Sequence, residues 1–330
     1  MNFLSAADTE AAFDWPNAIE CMRSAYTTNP APKAVPGRLV AADKSAWIRC
    51  MPAIPASGSY MGSKQISRTR NGKVAYVIML FDKVSGQLDY LIDGISITAM
   101  RTAATSAVAL DAFSGPGPIA KLAVIGAGLE ARSHVNAIVS ARDVLALSVY
   151  SPTLANREKF AKEFRSLGIE AHAASSAEEA VRGASHVIAA ARSRDESPTL
   201  FGTWLAPGAV VVSIGSTTPS QREVDVSVVE RASVIISDEP KEVGHDTGDM
   251  IAATDAGIAF EHKLFSLHDL VQGKVPATPL TSDIVMFKSV GSALQDISFA
   301  EQVAHVAKHK KLGLSLPVDF KIKHSIGKNT

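Results

Sequence analysis

Residues 122–131 read Leu-Ala-Val-Ile-Gly-Ala-Gly-Leu-Glu-Ala, an apolar run that enters two glycines and leaves as a helical pattern starting at Leu129. Gly126 permits a tight turn, Gly128 lets the backbone approach a pyrophosphate, and Ala131 stands where a third small residue lets helix pack on strand. The start of the helix offers unpaired N–H groups to phosphate. A chain with this turn is held to a parallel sheet, because the strand before it and the next one must be joined through a helical crossover. The turn comes after about 115 residues of different character.

The sequence beyond the turn alternates as expected for such a sheet. The pattern predicts strands at 122–125, 145–150, 186–190, 209–214 and 234–237, with a short one at 169–173. Helices are expected at 129–139, 153–167, 176–182 and 224–229, and Ser176 with Glu179 reads as a capping box. From Glu242 the pattern mixes helix and loop, and the apolar run 284–290 suits strand or helix equally.

Ahead of the turn, Ser5 or Asp8 caps an early helix, and Trp15 to Tyr26 has helical apolar spacing until Pro30, Pro32 and Pro36 break it. Trp47 to Met51 reads as a strand. Pro52, Pro55, Gly58 and Gly62 then mark a loop leading to Lys64. Runs at 74–81 and 88–92 flank a turn at Asp82–Gly86, a hairpin signature in which Asp82 is a turn residue. Residues 96–113 form an alanine-rich helix, with Ala99, Ala103, Ala104, Ala107, Ala109 and Ala112 allowing close packing. Ser114-Gly-Pro-Gly-Pro118 ends that helix and marks a domain boundary.

A chain of 330 residues suits two domains. With 33 basic and 33 acidic residues the net charge is zero, so there is no global electrostatic case for a nucleic-acid or anionic-membrane partner. The basic end, Lys321, Lys323, His324 and Lys328, reads as a solvated tail. Cys21 and Cys50 are too few for a disulfide framework or a zinc site, and no His, Cys and carboxylate group has metal-ligand spacing. The thiols, with a first ten residues unlike a signal peptide, indicate a cytoplasmic protein.

In a dinucleotide site an acid about 20 residues beyond the glycines holds the ribose hydroxyls. Here the second strand ends at Tyr150 and continues Ser151-Pro-Thr-Leu-Ala-Asn-Arg157 with no acid at its tip. Ser151, Thr153 and Arg157 suit a 2′-phosphate instead, which favours NADP while leaving NAD open.

The first region offers three basic side chains among small residues: Arg38, Lys64 and Arg101. Arg101 stands in Thr98-Ala-Met-Arg-Thr-Ala-Ala-Thr-Ser106, where a guanidinium can grip a carboxylate in a two-point fork. At this point the sequence resembles the ornithine cyclodeaminase and mu-crystallin family. The motifs that carry the resemblance are Met51-Pro-Ala53 with Lys64, and Arg101-Thr-Ala-Ala-Thr-Ser-Ala107. Further on come the glycine turn with His134, and Lys288-Ser-Val-Gly-Ser-Ala-Leu-Gln-Asp296.

The resemblance implies an α/β fold in which a Rossmann-type coenzyme domain, 116–299, is inserted into an α+β substrate-binding and dimerisation domain, 1–115 and 300–330. Spacing by itself suggests two consecutive domains. The coenzyme residues are then Gly126, Ala127, Gly128, Leu129, Glu130, Ser151, Thr153 and Arg157, with Thr102, Ser213 and Gly215. Arg38, Lys64 and Arg101 are implied to surround a substrate carboxylate, with Lys64 near the reacting carbon and a homodimer as the assembly.

One departure bears on the reaction. Cyclodeaminases of this family carry an acid in a Gly-x-Asp-x-Pro stretch, and here Thr217 of Ser213-Ile-Gly-Ser-Thr-Thr-Pro219 takes its place. A threonine hydroxyl is no base near neutral pH. The expected reaction is therefore NAD(P)H-dependent reduction of an imine beside a carboxylate, as in a ketimine reductase acting on an imino acid, or the reverse amino-acid dehydrogenation. Lys64 would orient the imine and relay a proton, with its basicity tuned by neighbouring cations. The alternatives are elimination of the cyclodeaminase or hydroxyproline dehydratase type, and a non-catalytic protein that binds coenzyme or a small ligand. Gly244-His-Asp-Thr-Gly-Asp249 gathers His245, Asp246 and Asp249 in a stretch that suits either proton handling or loop capping.

Overall fold

The computed structural model describes residues 1–115, 117–275, 283–318 and 320–323. Pro116, within the expected boundary, and His324 and Lys328 of the basic end lie outside the described residues. Lys321 and Lys323 are exposed. Among the described residues the strands form two sheets, and no helix is long and apolar enough to cross a membrane.

The chain divides into two compact units, each assembled from separated segments. One comprises Met1–Asp14, Thr28–Thr98 and Ala293–Thr330; the other comprises Trp15–Thr27 and Ala99–Ser292. These boundaries differ from the expected ones. The division falls inside the helix Gly94–Ser114 and not at the Gly-Pro stretch, and Trp15–Thr27 belongs with the parallel-sheet unit. There His268 Nδ1 lies 3.0 Å from the carbonyl of Tyr26, and the two rings stack 4.7 Å apart.

The first unit is built on a seven-stranded mixed sheet ordered Leu314–Ser315, Asn2–Leu4, Leu88–Asp93, Val74–Asp82, Tyr60–Thr69, Ala46–Ala53 and Leu39–Ala42. Asn2–Leu4 runs parallel to Leu88–Asp93, and the other pairs are antiparallel. Ser5 caps the first helix, Ala6–Ala12, in a reciprocal box with Asp8. The Asp82 carboxylate accepts the N–H groups of Val84 and Ser85, which closes the expected hairpin. One reading is corrected here. Gly62 and Lys64 lie within the strand Tyr60–Thr69, not in or after a loop. Gly62 is required because a Cβ there would stand 2.2 Å from the Met79 carbonyl of the neighbouring strand. Helix Ala293–Lys310 packs on this sheet, and its Ala293, Leu294, Ile297, Ala300 and Ala304 are buried.

The second unit is an eight-stranded parallel sheet. Its order is Leu264–Ser266, Ala232–Ser237, Ile284–Lys288, Val210–Ser213, His186–Ala189, Ile119–Ile125, Val144–Tyr150 and Glu170–Ala173. Every pair is parallel. Residues 186–189, 210–213 and 284–288 are buried without a break, as central parallel strands covered on both faces must be. This settles 284–288 as strand. The crossover direction reverses between Ile119–Ile125 and His186–Ala189, which is where such sheets open a ligand crevice at their carboxyl edge. The Ser176 cap forms only in part: Ser176 accepts the Glu179 N–H, while the Glu179 side chain accepts the Ser175 N–H.

Candidate active site

At the carboxyl end of the strand Ile119–Ile125, Gly126 has φ +116, a region that L side chains avoid. A Cβ on it would lie 2.7 Å from the Ala190 carbonyl, so the turn closes against the next strand's exit. Around Gly128 the opposite holds, since a Cβ would meet nothing within 4 Å. Gly128 is the N-cap of helix Leu129–Ala141, and no side chain caps it. Open space before an uncapped helix start fits a pyrophosphate. Leu129 is exposed and Glu130 stands in the first turn.

Of two side chains beside this turn, Arg132 gave no signal in the sequence and His134 was legible only as a motif residue. Arg132 donates from Nη1 to the Ala127 carbonyl at 2.7 Å and from Nε to Glu163 at 2.9 Å, and it stacks on Phe160. It thereby fixes the glycine turn from behind. His134 is fully buried, with Nδ1 2.7 Å from the Glu130 carbonyl and Nε2 3.0 Å from the Ser106 hydroxyl. A carbonyl only accepts, so Nδ1 carries the proton and Nε2 accepts from Ser106. Burial pushes His134 down to about 4, with the positive charge of Arg101 adding to the effect, so the ring is neutral.

At the second strand tip, the Arg157 guanidinium stacks on Tyr150 at 5.4 Å and donates from Nη1 to the Ser151 carbonyl at 2.9 Å. Ser151 is buried and its hydroxyl lies 3.3 Å from the Thr153 carbonyl. Thr153 is the exposed N-cap of Leu154–Arg165, and its hydroxyl bonds no backbone N–H of that helix. An arginine thus marks the tip where NAD-preferring sites place a carboxylate.

Ser213 is buried and Gly215 is half-buried. The Glu223 carboxylate, buried completely, accepts the Ser213 hydroxyl at 2.7 Å, the Gly215 N–H at 2.8 Å and the Ala191 N–H at 3.1 Å. Lys288 Nζ donates to Ser213 Oγ and to Asp249 Oδ2, both at 2.8 Å. Asp249 Oδ1 in turn accepts the N–H groups of Glu223 and Val224. Asp249 is therefore a buried structural ion-pair partner, whereas His245 and Asp246 are exposed at the end of Pro240–Asp246. Burial pushes Glu223 up to about 7, against the opposing pull of Lys288. Among the described residues no group of three His, Cys, Asp or Glu side chains is placed to hold a metal.

In the loop after Val210–Ser213, Thr217 donates its N–H and its hydroxyl to Gln221 Oε1. Ser216 donates to the Gln221 carbonyl at 2.6 Å. Arg101 is 4% exposed, on the helix Gly94–Ser114. Gly291 has φ +80, and a Cβ there would stand 2.7 Å from both terminal nitrogens of Arg101. The Asp238 carboxylate shapes that loop by accepting from Ser289 Oγ, Val290 N and Gly291 N. Thr102 lies beside Arg101 on the helix, with its carbonyl 3.0 Å from the Ser106 hydroxyl oxygen.

In the first unit, Lys64 Nζ pairs with Asp296 Oδ2 at 2.6 Å, with both side chains almost fully buried. Where neighbouring cations are expected from the sequence, the ion-pair partner of Lys64 is a carboxylate from the helix Ala293–Lys310. Arg38 is half-buried immediately before the strand Leu39–Ala42.

A parallel sheet with this strand order, and a glycine turn open at its carboxyl edge, defines a dinucleotide-binding protein of the doubly wound α/β class. The model of the ornithine cyclodeaminase/mu-crystallin family matches residues 3–311, and the chain belongs to that family. It is 33% identical over 226 residues to ketimine reductase mu-crystallin of Rattus norvegicus, covering 68% of this chain and 67% of the relative. It is 26% identical over 319 residues to the Δ1-pyrroline-2-carboxylate reductase of Paracoccus denitrificans, covering 92% and 96%. Among solved structures, the Thermococcus litoralis Δ1-pyrroline-2-carboxylate reductase in complex with NADH and L-proline superposes with a TM-score of 0.85. It shares 26% identity and covers 96% of this chain and 100% of that one.

Proposed function

We propose that this protein is an NAD(P)H-dependent reductase of cyclic imino acids, acting on a C=N bond beside a carboxylate. The observation that carries the reading is Thr217, hydrogen-bonded to Gln221 where cyclodeaminases of the family hold an acid, in a chain whose relatives are named as imine reductases. The coenzyme, when bound, supplies the hydride. Arg101 and Arg38 bind the substrate carboxylate, and the missing Cβ of Gly291 leaves room for the guanidinium of Arg101. Lys64 orients the imine nitrogen and gives it a proton, and Asp296 keeps the ammonium directed. Gly126 to Glu130 receive the pyrophosphate, while Ser151, Thr153 and Arg157 favour a 2′-phosphate and so NADP over NAD. The unit Met1–Asp14, Thr28–Thr98 and Ala293–Thr330 acts as the substrate and dimerisation domain, and the unit Trp15–Thr27 and Ala99–Ser292 as the coenzyme domain.

A cytoplasmic homodimer is the assembly we infer. Cys21 and Cys50 are free thiols. Leu39, Ile48 and Val77 are exposed large apolar groups. The register puts them on one face of the seven-stranded sheet, opposite Lys64 and the helix that carries Asp296. An uncovered apolar sheet face suits a second copy of the chain.

The test is a coenzyme-oxidation assay with NADPH and NADH against Δ1-pyrroline-2-carboxylate, its six-membered homologue, and 2-oxo acids with ammonia or methylamine. Turnover with a cyclic imino acid and NADPH is expected. Conversion of ornithine or hydroxyproline without net coenzyme loss would instead establish elimination. Coenzyme binding without turnover on any of these would establish a binding protein.

A further inference from the structure

Glu223 joins two loops through its carboxylate. Its Oε1 accepts from Ala191, just past the strand His186–Ala189, and its Oε2 accepts from Gly215, just past Val210–Ser213. Both loops leave the carboxyl edge of the sheet. Ala190 is also the residue against which Gly126 closes. The adenosine ribose of a dinucleotide belongs at the tip of the strand ending at Tyr150, on one side of the glycine turn. Strands 186–189 and 210–213 lie on the other side, so the loops that Glu223 joins border the nicotinamide half.

We propose that Glu223 is a positioning residue for the nicotinamide half of the coenzyme, acting by tying the Ala191 and Gly215 backbones to one carboxylate. The seat is built for that side chain. A Cβ at Gly215 would fall 2.2 Å from a Glu223 carboxylate oxygen, and the Glu223 backbone is itself held by Asp249, whose other oxygen pairs with Lys288. Only a carboxylate accepts from both loops at once. A glutamine in its place presents an NH2 to one of the two N–H donors, and an aspartate is one methylene short of the span.

The inference rests on the coenzyme-binding reading and is tested separately from it. NADPH and NADH binding are titrated by fluorescence and ADP-ribose and its 2′-phosphate by calorimetry, for the wild type, Glu223→Gln and Ser213→Ala. Glu223→Gln is expected to weaken binding of the full coenzyme by roughly tenfold and to lower kcat by 10- to roughly 100-fold, as expected for a misplaced reactant. The ADP-ribose fragments should bind within about twofold of wild type, and the primary isotope effect with 4-deuterated NADPH should rise. Ser213→Ala removes one donor to the carboxylate and should move the coenzyme-to-fragment ratio the same way by a smaller factor. Equal losses of fragment and coenzyme, or no change in the ratio, overturn the proposal. Should Glu223→Gln not fold, an unchanged ratio in Ser213→Ala overturns it alone. Failure of the wild type to bind any of these ligands overturns the coenzyme reading, and this inference with it.

Discussion

Thr217 donates both its N–H and its hydroxyl to a single atom, Oε1 of Gln221, at 2.9 and 3.0 Å. A hydroxyl engaged in this way shapes a loop and takes no proton from a substrate. Thr217→Ala removes one side-chain hydrogen bond of about 1 kcal/mol. It is expected to keep imine reduction within about fivefold of wild type in kcat/KM. A loss beyond a hundredfold would show that the hydroxyl takes part in the reaction.

The two glycines of the turn have different duties and should fail differently. Gly126→Ala forces φ +116 on a residue with a side chain and drives it against the Ala190 carbonyl. It is expected to lower the midpoint of thermal unfolding as well as coenzyme affinity. Gly128→Ala meets no protein atom, so its melting point should stay near wild type while NADPH affinity falls by 10-fold or more, roughly the cost of an obstructed phosphate contact. Melting curves with coenzyme titrations separate the two.

Lys64 and Asp296 form a buried pair, so removing one partner strands the other's charge. Asp296→Ala is expected to cost about 3–5 kcal/mol in denaturant unfolding. Lys64→Met with Asp296→Leu should recover much of that loss while remaining inactive on imino acids. Normal turnover in Lys64→Met would remove the lysine from the reaction.

His134 and His186 are both pushed down to about 4 by burial, from an ordinary value of 6.5. The unfolded chain therefore binds more protons than the native one between those values. The stability these neutral rings contribute is present above pH 6.5 and is lost as pH falls toward 4. Glu223, raised from 4.5 to about 7, works the other way, contributing stability below 4.5 that is lost as pH rises through 7. His134→Asn and His186→Asn should each flatten the acid limb by up to about 1.4 kcal/mol per pH unit. Unfolding free energies measured from pH 4 to 8 check the sign, and an acid limb as steep as wild type in both variants would refute it.

The features that repeat in a local pattern could be read before the fold was seen. The strand, glycine and helix sequence around Gly126 determined a parallel nucleotide-binding sheet, because backbone freedom at one residue and a helix start just after it are local properties. The spaced motifs at Arg101 and Lys288 pointed to the family, and Thr217 to a reaction other than cyclodeamination. Local reading failed where neighbours decide. The run 284–290 was ambiguous because a strand buried on both faces shows no period of two. Gly62 resembled a loop residue, although it lies mid-strand where an adjacent carbonyl leaves no room for a Cβ.

Only the tertiary structure paired Lys64 with Asp296, set Gly291 against Arg101 and placed Glu223 beneath two loops. Those partners are remote along the chain, and whether a buried charge is held, neutralised or put to use depends on which dipoles and ions surround it in space.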